Sequence, residues 1–104
     1  MIFPPDILRF SLCTHLQEVK ALDAIGDYDA RQAAVLRVLA VASMLGYKVG
    51  FDFDDKWPDF PYVAMVDLPT GQVSWHMRPF GDAFDGHTTE EKYGRIDAYL
   101  RGEQ

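Results

Sequence analysis

Two short runs in which apolar and polar residues alternate, separated only by Pro69-Thr70-Gly71-Gln72, constrain this chain more than any other feature. Tyr62 to Leu68 and Val73 to Arg78 both repeat with a period of two, the pattern of strands with one buried face. The Pro-Thr-Gly-Gln break predicts a hairpin turn between them. Parity then limits the register. A four-residue loop pairs Leu68 with Val73 and Val66 with Trp75. It gathers Tyr62, Ala64, Val66, Leu68, Val73, Trp75 and Met77 on one face. A three-residue loop would mix Gln72, Ser74 and His76 into that face. Because a one-residue slip turns every side chain over, the even loop is expected. The reverse face then carries Asp52, Asp54, Asp67, Ser74 and His76, with Met65 interrupting its polarity.

The remaining elements follow from periodicity and punctuation. Asp6, after Pro4 and Pro5, is placed to cap a first helix. Leu8, Leu12, His15, Leu16, Val19 and Leu22 fall at helical spacing and form its apolar stripe, and Gly26 stops it. Asp27 or Asp29 starts a second helix, Asp29 with Gln32 resembling a capping box. From Ala33 to Leu45 only Arg37 and Ser43 are polar, which predicts a central helix covered on several sides. Tyr47 to Asp54 alternates, with Tyr47, Val49, Phe51 and Phe53 facing one way, and reads as a first strand. Asp55 to Pro61 and Pro79 to His87 read as loops. Thr88 with Glu91 makes a capping box for a last helix, whose buried stripe is Tyr93, Ile96 and Leu100. The expected fold is α+β: a three-stranded antiparallel meander packed on helices in the order α-α-β-β-β-α, a single compact domain over residues 1–104.

Composition narrows the function classes. A hydrophobic fraction of 48% is enough for a packed core and argues against disorder. No apolar run approaches the ~18 residues of a membrane span, and MIFPPDILRF lacks the pattern of a signal peptide. A lone cysteine, Cys13, excludes an internal disulfide and a thiolate cluster, so a cytoplasmic setting is expected. The formal net charge of −6 disfavours direct binding to phosphate backbones and suits a basic partner surface.

Four constellations bear on chemistry. His76, Asp85 and His87 are metal-ligating types, but no fixed ligand spacing holds them together, and no metal or other cofactor is expected. His76, Arg78, His87 and Thr88, beside a helix start, suit a nucleotide or phosphate, with Lys92 adding charge and the acidic residues around them opposing it. His76 with Asp67 or Asp52, and Ser74 two residues away, is a loose version of a base–orienter pair. It is outweighed by the ordinary alternation of a solvated strand face. Trp57, Phe60, Phe80 and Phe84 fall outside the periodic core pattern and are interleaved with Asp55, Asp59, Asp82 and Asp85. Aromatic anchors in an acidic rim suit docking on a protein with a basic groove. This set is favoured, and points to a non-enzymatic binding protein, monomeric or a small homo-oligomer.

The segment LPTGQVSWHM, Leu68 to Met77, with FDGHTTEEKYGRI, Phe84 to Ile96, resembles a group of short proteins from phages and mobile bacterial elements. Gly46 to Asp54, GYKVGFDFD, is similar as well. Phe84 stands where the group has tryptophan, and Gly94 replaces a helix-favouring residue. The resemblance implies a phage or prophage setting and a host protein as partner. A counter-defence inhibitor of anti-CRISPR type is one form of that expectation.

Overall fold

The computed structural model describes residues 4–53, 55, 61–77 and 89–102. Its elements are α1 (Pro5–Ile25), α2 (Tyr28–Met44), β1 (Val49–Phe53), β2 (Pro61–Leu68), β3 (Gly71–His76) and α3 (Thr89–Leu100). The three strands form one antiparallel sheet in the order β1-β2-β3. The α+β meander expected from alternation is the observed fold.

Helix α1 begins two residues earlier than expected. Pro4 is its N-cap and Pro5 its first helical residue, a position where the missing N–H costs nothing. Asp6 therefore lies in the first turn, where its charge favours the helix dipole, and not at the cap. Gly26 ends the helix at φ 75°, with its N–H on the Asp23 oxygen and the Asp27 N–H on the Leu22 oxygen. This paired closure requires a left-handed residue, which glycine adopts without strain. Asp27 then caps α2 by accepting from the Ala30 N–H at 3.3 Å. Asp29 sits inside the first turn, so the Asp29–Gln32 capping box is not the start signal.

The two helices form an antiparallel hairpin that packs on the sheet mainly through α2 against β2, while α3 lies against β3. Leu12, Leu16 and Val19 of α1, Ala34, Val35, Val38 and Ala42 of α2, and Ile96 and Tyr99 of α3 close over Ala64, Val66, Val73, Trp75 and Met77. Helix α2 is central but not fully enclosed: Leu36 and Met44 reach solvent. The stripe of α3 is turned relative to expectation. Lys92, Ile96 and Tyr99 are buried, and Tyr93 and Leu100 flank them half-buried. Tyr99 is drawn inward by Tyr47: their hydroxyls are 3.1 Å apart and their rings meet edge-on at 6.0 Å.

The faces of the hairpin follow the predicted parity, but its register differs. Leu68 pairs with Gly71, Val66 with Val73 and Ala64 with Trp75, so only Pro69 and Thr70 lie between the strands. A shift of two positions keeps every side chain on its own face, which is why alternation cannot separate the two loops. Gly71 decides between them. Its φ of +135° reverses the chain after Pro69-Thr70, and the Thr70 hydroxyl donates to the Arg95 carbonyl at 2.6 Å, tying the turn to α3. The reverse face also departs from a solvated polar surface, since Val63 and Ser74 are buried on it.

Candidate functional site

Of the nine residues singled out for partner or ligand binding, His76 alone falls within the described residues. Trp57, Phe80, Asp82, Phe84 and Asp85 lie outside them, as do Arg78, His87 and Thr88 and therefore the separation of the two histidine rings. What the structure places is the ground on either side of residues 78–88: the end of β3 and the start of α3.

Both ends converge on Arg31, a residue that reads in sequence as one more charge in the first turns of a helix. Its side chain is only 10% exposed. Nη1 donates to Asp23 Oδ1 at 3.0 Å, and Nη2 donates to the main-chain oxygen of His76 at 2.6 Å. The other carboxylate oxygen of Asp23 accepts from the Tyr93 hydroxyl at 2.7 Å. A guanidinium on α2 thus holds the last residue of β3, and its carboxylate partner on α1 holds Tyr93, at the start of the second turn of α3. The Tyr28 ring covers the guanidinium, with Cζ 5.0 Å from the ring centroid.

Electrostatics fit this closure. Burial raises the Tyr93 phenol well above its ordinary value, and the hydrogen bond to Asp23 raises it further. The Trp75 indole opposes that rise, although its N–H makes no hydrogen bond of good geometry among the described residues. The fork of Arg31 matches two acceptors at once, as an ammonium cannot.

Beside the network is an open cleft of about 290 Å³ lined by Lys20, Asp23, Ala24, Glu90 and Tyr93. Lys20 is held at its edge by Asp97, 2.8 and 3.0 Å from the two carboxylate oxygens. Lys92 does not serve this surface. It is 6% exposed, with Nζ 5.8 Å from the centroid of the Trp75 ring.

The sheet also separates the residues of the base–orienter reading. Asp52 pairs with Val63, and Val63 with His76, so Asp52 and His76 are two strand spacings apart, about 10 Å. Asp67 lies at the opposite end of β2 and accepts from the Gln72 amide at 3.0 Å. Neither carboxylate is placed to orient the imidazole. Cys13 is half-buried in α1, its thiol pushed up by burial with the nearby Arg9 charge opposing. No group of three or more metal-ligating side chains occurs among the described residues, and no described helix is long and apolar enough to cross a membrane.

Comparison with known protein families, with curated proteins and with solved structures finds no match to this chain.

Proposed function

We propose that this chain is a small non-enzymatic binding protein of phage or prophage type. It docks on a host protein with a basic groove and inhibits or redirects it, a counter-defence inhibitor being one form. Phe80 and Phe84, with Trp57, are the apolar anchors, and Asp82 and Asp85 the acidic rim. The observation that carries the proposal is the double hold of Arg31 and Asp23 on His76 and Tyr93. It fixes the two points from which residues 78–88 depart. A binding segment whose ends are fixed loses less conformational entropy on docking than a free one. The net charge of −6 adds steering toward a basic partner. The likeness of Leu68–His76 and Asp85–Ile96 to phage proteins supplies the genomic setting.

The test is capture from a bacterial lysate with tagged wild type and two variants, Phe80→Ala/Phe84→Ala and Asp82→Asn/Asp85→Asn. The expected result is a stoichiometric protein partner held by wild type and lost or weakened in both variants, more strongly at low salt for the aspartate pair. Recovery of the same partner by all three proteins contradicts the assignment of residues. A thermal-shift panel of nucleotides, phosphate and divalent metals is the companion measurement. A one-site ligand at 100 times Kd adds ~2.7 kcal/mol. Such a shift, abolished by His76→Ala/His87→Ala, would replace partner docking with a ligand site at His76, Arg78, His87 and Thr88.

A further inference from the structure

We propose that the outer edge of β1 is the contact surface for a second copy of this chain, paired antiparallel about a two-fold axis through Phe51.

The two edges of the sheet are treated differently. The Asp67 N–H donates to the Lys48 oxygen at 2.9 Å. Alternation therefore turns the main-chain groups of Lys48, Gly50 and Asp52 toward β2, and those of Val49, Phe51 and Phe53 outward. The same alternation sends Gln72, Ser74 and His76 outward from β3. There, the carbonyl of Gln72 accepts from Arg95 Nη1 at 2.6 Å and that of His76 from Arg31 Nη2 at 2.6 Å. Two guanidiniums from the helices thus occupy the β3 edge. Among the described residues, no side chain does the same for Val49, Phe51 or Phe53. An unguarded edge is a template for another strand.

The side chains on that edge are also unfinished. Phe51 and Phe53 belong to the core-side face, since Phe51 stands opposite Ala64. Yet they are 40% and 52% exposed, with ring centroids 6.4 Å apart. The irregularity between Asp52 and Phe53 adds its extra residue to β2 and leaves β1 continuous.

The sequence of β1 selects the occupant and its register. With Phe51 opposite Phe51 of the second copy, Val49 meets Phe53 and all three outward residues find hydrogen-bonding partners. The apolar side chains form one row, and Asp52 faces Gly50 on the other face. Lys48 becomes the diagonal neighbour of Asp52, within reach of an ion pair. A register shifted one way sets Asp52 against Asp52, placing like charges directly opposite. The shift the other way sets Gly50 against Gly50 and Phe53 against Tyr47, which lies outside β1 and is already held by Tyr99. The surface is self-complementary, as a two-fold contact requires.

Sedimentation equilibrium of the full chain tests this. The expected result is a reversible monomer–dimer equilibrium. Phe51→Pro removes an outward N–H and no bond to β2, so it should raise the dimer Kd at least about tenfold. Lys48→Glu should raise it by about threefold or more, and Lys48→Glu/Asp52→Lys should restore it. Both positions are exposed, so the charge variants serve if the proline variant fails to fold. A chain that stays monomeric at every concentration overturns the proposal, including one that binds a foreign extended peptide. So does a dimer indifferent to these substitutions, or a charge swap that restores nothing. The outcome is independent of the host-partner experiment above.

Discussion

Arg31 and His76 are 45 positions apart in the chain and joined by a 2.6 Å hydrogen bond from a buried guanidinium to a main-chain oxygen. The same guanidinium meets Asp23, so one side chain on α2 binds α1 and β3 at once. Through Asp23 and Tyr93 the connection extends to α3. Four of the six elements are fastened at one point.

Replacing Arg31 by Met keeps much of its volume and strands Asp23 and the His76 carbonyl. Breaking a buried pair from one side costs about 3–5 kcal/mol. Here Asp23 keeps Tyr93, so the lower end of that range is expected in urea denaturation. Arg31→Lys should recover less than half, because one ammonium cannot span both acceptors. Arg37, which pairs with Glu18 on the exposed side of the helical hairpin, is the control. Arg37→Ala should cost less than about 1 kcal/mol.

Alkaline pH should loosen the same region. The Tyr93 phenol is raised in the folded protein by burial and then by Asp23, and Tyr99 is raised by burial and then by Tyr47. An acid whose folded value exceeds its unfolded value of about 10 contributes stability that is complete below pH 10 and lost as pH rises beyond it. Each tyrosine can steepen the decline by at most ~1.4 kcal/mol per pH unit. Tyr93 is half-buried, and solvent screening keeps it under that ceiling. Unfolding free energies measured above pH 10 should fall less steeply in Tyr93→Phe than in wild type.

Two glycines should respond in opposite directions to alanine. Gly71 has φ +135°, and a Cβ there would stand 2.8 Å from Arg95 Cδ. Gly71→Ala should cost ~1–3 kcal/mol. Gly94 lies exposed within α3, and a Cβ added there would meet nothing within 4 Å. Gly94→Ala should stabilise by ~0.5–1 kcal/mol. Thermal melts of the two variants, displaced to either side of wild type, check both.

The order of elements and the two faces of the hairpin were legible because alternation and helical spacing report burial directly. Register was legible only to its parity. Loops of two and four residues keep Val66 and Val73 on the same face, and the deciding property is the backbone angle at Gly71. The stripe of α3 was misplaced because its orientation depends on Tyr47, 52 positions from Tyr99. Phe51 and Phe53 lie on the apolar face yet outside the helices' cover, which alternation alone does not reveal. Arg31 carries no local signal, since its acceptors are 8 and 45 positions away.

Amide hydrogen exchange in wild type and Arg31→Met tests the fastening most directly. Loss of protection should appear together at the end of β3, around His76 and Met77, and in the first turns of α3, around Tyr93, while the Val35–Leu39 stretch of α2 stays protected. Loss confined to α2, or spread evenly over the whole chain, would contradict a single bracket holding both flanks of residues 78–88.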